Sequence, residues 1–195
     1  MHKDLTKELQ SSFLSCEKDT ALILKKLFVD SRPHSDILKK LLVISTKDCL
    51  DKTGPHADLY NKKIKDISIA QLMKDKYIVT IPKLPMAEFE ERKSCIIISF
   101  DNFTMNDTNP QFRDCSVYFE IICPTDCWEL NDHKLRPLAI AGYIDGILNN
   151  THLTGIGRFV FMGCNQQVYD ENLSGYTLVY RAVHGSDDII SPKEN

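Results

Sequence analysis

A helix is predicted by residues 134–150, which read KLRPLAIAGYIDGILNN. Apolar side chains recur there every three or four positions, as they do on the buried face of a helix. Pro137 is compatible with this helix because proline is tolerated in the first turn. We therefore expect one prominent helix that packs on its neighbours through an apolar face. That face consists of Leu138, Ile140, Ala141, Ile144, Ile147 and Leu148.

Strand patterns flank this helix on both sides. Before it, residues 77–81 are rich in β-branched side chains and residues 95–100 are apolar nearly throughout. In residues 116–123, Val117, Phe119 and Ile121 alternate with Tyr118, Glu120 and Ile122. After it come two further strand-like segments, 158–164 and 176–183. Strands on both sides of a single helix predict an α+β fold. We expect a mixed, mainly antiparallel sheet with one prominent packed helix.

The first 75 residues follow a helical period instead. We therefore divide the chain into a helical N-terminal region, residues 1–75, and an α+β domain, residues 76–195. The N-terminal region carries 14 basic and 11 acidic residues, a net +3, whereas the domain carries 10 and 16, a net −6. Opposite charge at two ends of a subunit suits head-to-tail stacking, although such an asymmetry also arises by chance.

Local signals predict the ends of the N-terminal helices. Residues 31–34 contain a proline and should end the first helix, which we also expect to be interrupted near 17–19. Ser35 is expected to cap the helix that follows. Ser68 and Gln71 have the spacing of a capping box for a further short helix.

The composition is that of an ordinary globular protein. Of 195 residues, 43% are hydrophobic and 26% are charged, and the net charge at pH 7 is −3. This charge is too small by itself to indicate a nucleic-acid groove or an anionic-membrane surface. The first residues lack the apolar core of a secretory signal, and no apolar run approaches the roughly 18 residues of a membrane span. We expect no membrane association, and cysteines that stay reduced in a cytosol.

A long connection is predicted between the two central strands, at residues 101–114. It is much longer than an ordinary hairpin link. Long loops inside a compact domain are often functional. Phe103, Met105 and Phe112 supply apolar anchors along it. We therefore expect an ordered, functional loop.

The sequence contains no convincing catalytic or metal-binding pattern. Cys123, Cys127 and His133 come nearest to a zinc site, but such a site needs four ligands and no second pair follows. Cys127 and His133 would form a catalytic pair only in hydrogen-bond contact and beside an oxyanion site. The turn Gly155-Ile156-Gly157 lacks the third glycine of a dinucleotide loop. We predict no catalytic, cofactor or metal site, and no enzyme activity.

The pattern from residue 136 onward resembles a known protein family. It combines the Arg-led helix with its Ile144-Asp145 pair, the Gly155-Ile156-Gly157 turn, and a final strand, Gly175-Tyr176-Thr177-Leu178-Val179-Tyr180. These features are similar to those of the small neck and tail-terminator proteins of tailed bacteriophages. In that family the helix packs on a mixed sheet and the last strand closes the domain. The resemblance covers roughly residues 76–185.

The resemblance implies a structural virion protein that forms a ring, commonly six-fold, at the phage neck. Such a ring ends the tail tube and joins it to the head-side connector protein, and DNA passes through its lumen. The 101–114 loop would contact a neighbouring subunit or the tail tube protein. Helix charges would pair within or between subunits, or else stay exposed. The implied interface residues are Asp101, Phe103, Met105, Phe112, Arg113, Arg136 and Asp145.

Two other functions stay open on the sequence alone. One is another head-completion or connector ring subunit with a different partner. The other is a cytosolic enzyme or regulator that uses the surroundings of Cys127 and His133. A thiol there that reacts much faster than the others would favour this last function.

Overall fold

The computed structural model describes residues 16–54, 56–81, 93–107, 113–153 and 157–184. The chain has an α+β fold, as the sequence predicts. The helices are α1, Cys16–Lys25; α2, His34–Val43; α3, Ala57–Lys65; α4, Ile69–Lys74; and α5, Arg136–Leu148. A π-helical turn, Lys26–Asp30, extends α1, and 3-10 turns occupy Thr125–Cys127 and Asn131–His133. The strands are β1, Ile78–Val79; β2, Cys95–Met105; β3, Arg113–Pro124; β4, His152–Leu153; β5, Gly157–Arg158; β6, Val160–Val168; and β7, Leu173–His184.

A five-stranded sheet forms the centre of the fold, in the order β1-β2-β3-β7-β6. β1 runs parallel to β2, and the other neighbours in this sheet are antiparallel. The sheet is therefore mixed and mainly antiparallel, as expected. β4 and β5 form a separate two-stranded ladder. In the described ranges no helix is long and apolar enough to cross a membrane.

α5 covers one side of the sheet, and every second side chain of β3 points toward that side. Val117, Phe119 and Ile121 point to this side, and none of them is exposed. α5 packs against β3 and β7. Its Ile140 and Ile144 are fully buried, and Ala141, Ile147 and Leu148 are buried beside them, which confirms most of the predicted apolar face. Leu138 is 44% exposed, so its place on this face was predicted wrongly. Burial of each such side chain stabilises the fold by roughly 1.5–3 kcal/mol.

The N-terminal helices and the sheet share this core. Leu27 in the π-helical turn and Leu41 in α2 belong to the same cluster of buried side chains as Phe119 and Ile144. The expected division at residue 75 falls between α4 and β1, where helix changes to strand. Apolar packing is continuous across that position.

Most of the described residues of the connection predicted at 101–114 are strand, so the expectation of a loop over this whole range is wrong. β2 continues to Met105 and β3 begins at Arg113. A β-bulge between Asp101 and Thr104 shifts the register, and Asn102 has a φ of 55° there. Asparagine adopts positive φ more readily than most residues. Polar residues that suggested a loop therefore belong to a bulged strand.

The helix signals in the first 75 residues are correct in part. Ser35 does not cap α2, because α2 already begins at His34, and the buried Ser35 hydroxyl has no hydrogen-bond partner among the described residues. α1 continues through 17–19 without the expected interruption. The cap of α4 is confirmed, since the Ser68 hydroxyl accepts a hydrogen bond from the Gln71 N–H at 3.1 Å. α3 had no predicted counterpart.

Alanine substitutions in α5 test how much free space surrounds this helix. Apart from its chain neighbours and the backbone of its own helix, a Cβ added at Gly142 or Gly146 meets no heavy atom of the described residues within 4 Å. Alanine there restricts the unfolded chain without a clash in the folded one. We expect Gly142→Ala and Gly146→Ala each to raise the free energy of unfolding by about 0.5–1 kcal/mol. Urea denaturation followed by circular dichroism measures this change.

Gly175→Ala serves as the opposite control. A Cβ at Gly175 would lie 1.7 Å from the carbonyl oxygen of Ile121. We therefore expect this substitution to lower the free energy of unfolding by more than about 2 kcal/mol. An unchanged stability would contradict the close approach of β3 and β7.

Candidate interaction surface

The hairpin of β2 and β3 carries most of the predicted interface residues. The first residues of β2 are buried, whereas Asp101 and Met105 near its end are exposed. Phe103 is half-buried because it packs against the main core. Arg113, opposite Met105 in the register, is also half-buried. Phe112 lies outside the described residues. Four of the seven predicted residues therefore lie together on one hairpin.

Side-chain hydrogen bonds stiffen this hairpin where the bulge occurs. The Asn102 N–H donates to Oδ1 of Asp101 at 2.8 Å, and its Nδ2 donates to the Tyr118 hydroxyl at 3.0 Å. Nδ2 of Asn106 donates to Oδ1 of Asp114 at 2.7 Å. A preorganised hairpin loses less conformational entropy when it binds a partner. This hairpin is therefore suited to binding a partner.

Arg136 lies inside the protein, although the sequence also allowed an exposed helix charge. Its side chain is 0% exposed. Nε donates to the carbonyl oxygen of Cys127 at 2.7 Å, and Nη2 donates to that of Thr46 at 2.8 Å. Nη1 donates to the carbonyl oxygens of Leu41 and Ile44 at 2.8 and 2.6 Å. Arg136 is therefore paired within the chain, with backbone carbonyls.

The positions of these carbonyls explain why a cation is stable in the interior. Leu41 lies in the last turn of α2, and Ile44 caps the end of that helix. The last carbonyls of a helix lack intrahelical partners and carry partial negative charge. A guanidinium has five N–H donors in a planar fork, so one side chain can bind several carbonyls. Arg136 therefore ties α5 to the end of α2.

Polar contacts at the surface also join the segment that follows α2 to the segment that precedes α5. Nζ of Lys47 and Oε2 of Glu129 form an ion pair at 2.5 Å, and this hydrogen bond lowers the pKa of Glu129. The Asn131 N–H donates to the Lys47 carbonyl at 2.9 Å, and its Nδ2 donates to Oδ2 of Asp51 at 2.7 Å. Because the ion pair is solvent-exposed, it contributes far less than the buried bonds of Arg136.

Asp145 also has a partner within the chain. Its Oδ1 accepts a hydrogen bond from the Tyr180 hydroxyl at 2.8 Å. Burial, followed by this carboxylate, raises the pKa of Tyr180, so the phenol stays protonated. The Tyr180 ring meets the rings of Phe119 and Phe161 at steep angles, with centroids 5.7 Å apart in each case. Asp145 therefore connects α5 to β7 while it stays only half-buried.

The surroundings of Cys127 oppose its activation as a nucleophile. Burial, together with the neighbouring Asp126, raises the pKa of the Cys127 thiol. A nucleophilic cysteine needs the opposite shift. His133 is exposed in a 3-10 turn, with a φ of 57°. Within the part of the chain that the structure describes, no three His, Cys, Asp or Glu side chains are grouped so that they could hold a metal ion.

A second exposed surface, on β6, escaped the sequence analysis. Phe161, Met162 and Val168 are large apolar residues that are exposed on this strand. The sequence indicated a strand here but not its place at the edge of the sheet. One signal was available, because residues 160–168 contain no charged side chain. Edge strands commonly carry charges that discourage pairing with other chains.

A family model supplies the decisive comparison. The YomW model matches residues 35–182, about three quarters of the chain. The chain belongs to the YomW family. The YomW name comes from a gene in a phage region of Bacillus, which indicates a phage association. No curated protein matches the chain.

Replacement of Arg136 tests its role in this YomW-family fold. Arg136→Met keeps much of the apolar stem but leaves four carbonyl groups without their donor. We expect a loss of about 3–5 kcal/mol in the free energy of unfolding, because buried polar groups without partners are costly. Urea denaturation measures the loss.

Arg181→Met is the matched control, since Arg181 is exposed on β7. We expect its effect to stay within about 0.5 kcal/mol. Equal effects of the two substitutions would refute a structural role for the Arg136 guanidinium.

Proposed function

We propose that this YomW-family chain is a structural virion protein that forms a ring at the phage neck. The ring ends the tail tube and joins it to the head-side connector protein, with DNA in its lumen. The subunit is made in the host cytoplasm and becomes part of the virion. In this proposal the chain is not an enzyme and needs no cofactor.

The family match carries the proposal. It connects the chain with phage genes, and it covers residues 35–182. That range includes the helix and final strand whose residues resemble neck and tail-terminator proteins. The packing of α5 on a mixed sheet is also the architecture that the resemblance implies.

The hairpin of β2 and β3 is the contact that we propose with a neighbouring subunit or with the tail tube. Met105 is 59% exposed and lies opposite Arg113, and Asp101 lies four residues earlier on β2. An exposed methionine beside a charged group fits a protein surface, since Met is enriched at interfaces and adapts its shape. The core contact of Phe103 holds the base of the hairpin.

Charge supports a lumen through which DNA moves. Residues 76–195 carry a net −6. Protein surfaces that neutralise many phosphates bind DNA tightly through the release of counterions. A surface without such excess positive charge leaves DNA free to slide. The expected DNA contact is therefore weak and independent of base sequence.

A related assignment shares the ring but not the partner. The chain would then be another head-completion or connector subunit. Binding to isolated tail tubes separates the two assignments, because only a tail-terminator ring closes on the end of a tube.

The mass of the native protein in solution tests the proposal. Light scattering and negative-stain imaging should show a discrete ring, or a monomer that closes into a ring when tail tubes are added. Met105→Glu should weaken assembly or tube binding at least about tenfold, because it places a charge in the contact. Ile81→Glu is the control, since Ile81 is similarly exposed at 54% but lies beyond β1. A strict monomer that never binds tubes or connectors would disprove the ring.

Thiol reactivity tests the remaining alternative, an enzyme or regulator that uses Cys127. The raised pKa of Cys127 leaves little thiolate at neutral pH. We therefore expect iodoacetamide to modify Cys127 no faster than Cys164, which mass spectrometry of timed samples can measure. Much faster reaction at Cys127 would favour the enzyme.

A further inference from the structure

One side of β6 is uncovered although the same side of β7 is buried. Directly paired residues of antiparallel strands point to the same side. β6 residues are paired with buried Leu178 and Tyr180 of β7, yet Phe161 and Val168 are 41% and 72% exposed. A helix is about 10 Å wide and strands lie about 4.8 Å apart, so α5, packed on β3 and β7, leaves most of β6 uncovered. We call the resulting surface the β6 shelf; it consists of Asp145, Phe161, Cys164, Gln166 and Val168.

The β6 shelf is apolar along most of its length and acidic at one end. Residues 160–168 include no charged side chain. Asp145 borders the shelf from α5, since its negative charge, after burial, contributes to the raised pKa of Cys164. Nearby, Oδ1 of Asn149 accepts a hydrogen bond from the Phe161 N–H at 3.4 Å. A partner that fits this surface presents an apolar side chain close to a positive charge.

α3 presents these two features on the same chain. Leu59 is 60% exposed, and Lys62 and Lys63 are exposed beside it. Residues three and four positions apart lie on one face of a helix. The exposed face of α3 thus carries an apolar side chain with two ammonium groups one turn further on, and Asp58 is exposed at the start of the helix. This face complements the β6 shelf in polarity and in charge.

The symmetry of the contact favours α3 over another β6 strand. Contact between two different surfaces of identical subunits is head-to-tail, and such contacts form a ring when the rotation between subunits closes. Contact between two β6 strands would instead be two-fold and would give an assembly with two identical ends. A neck ring needs two different faces, one for the tube and one for the connector. The net +3 of residues 1–75 and the net −6 of the remainder favour head-to-tail contact as well.

We propose that α3 of one copy docks on the β6 shelf of the next, with Leu59 against Phe161 and with Lys62 or Lys63 near Asp145. This inference rests on the proposed ring, and it names one of the contacts that build it. The exposed Cys164 lies on the shelf, which makes the contact accessible to chemical cross-linking.

Cross-linking between Cys164 and a cysteine at position 59 tests the contact. Cys16→Ser and Cys127→Ser first remove thiols that would complicate the result, and Leu59→Cys is then added. A short bis-maleimide should produce a ladder of covalent multimers, because each copy has one cysteine on each surface. Ile81→Cys in place of Leu59→Cys is the control for exposure, and we expect at least about tenfold less product.

The outcomes distinguish this contact from the ring itself. Dimers that form through Cys164 without Leu59→Cys would indicate two-fold pairing of β6 and overturn the proposal. A ring seen by light scattering without a ladder would overturn the α3 contact and leave the proposed function standing. A monomer that gives no ladder and never binds tail tubes or connectors would overturn both the α3 contact and the proposed function.

Charge removal provides a second measurement that leaves the fold intact. Asp145→Asn keeps an oxygen that can accept the Tyr180 hydrogen bond but removes the charge. We expect association about two- to fivefold weaker, with a smaller dependence on salt, as for a solvent-exposed ion pair. Asp101→Asn, at the hairpin, should leave the salt dependence of cross-linking at positions 59 and 164 unchanged. Equal effects of the two substitutions would contradict the docking of α3 near Asp145.

Discussion

The buried guanidinium of Arg136 holds the helical segment and the sheet in one arrangement. Apolar contacts between α2 and α5 are not directional, so by themselves they would tolerate sliding of one helix along the other. Hydrogen bonds from one planar group to the carbonyls of Leu41, Ile44, Thr46 and Cys127 are directional. They also supply partners for carbonyls at the end of α2 that the helix cannot satisfy itself.

The orientation of α5 that follows from this contact determines which surfaces stay open. α5 covers β3 and β7 and is joined to β7 again through Asp145 and Tyr180. α5 reaches β6 only at its border, and the hairpin of β2 and β3 extends past the covered part of the sheet. The two candidate interaction surfaces are therefore the parts of the sheet that one helix is too narrow to cover. The packing of α5 is therefore enough to explain why both surfaces are exposed.

The spacing of apolar residues within one segment predicted its secondary structure well. Features that depend on packing against other segments, such as the bulge and the helix cap, were predicted poorly. The helix at 136–148 and the central strands follow from apolar spacing, because burial of one face requires that spacing in any arrangement. The long loop at 101–114 was wrong because a bulge lets polar residues such as Asn102 stay in a paired strand. The predicted cap at Ser35 was wrong because serine, although a good capping residue, is also tolerated inside a helix when packing compensates. Four of the residues predicted as an interface lie on one hairpin, whereas Arg136 and Asp145 could not be placed inside or outside from spacing alone.

By itself, the sequence determined the α+β class, the division between helix-rich and strand-rich segments, and the opposite charge of the two. These properties depend on residues close in the chain, whose spacing and composition act before any long-range contact forms. Only the tertiary structure decided that Arg136 is buried and that β6 is the uncovered edge. Both depend on residues about 90 positions apart or on the order of strands in the sheet, and local periodicity contains no information about either.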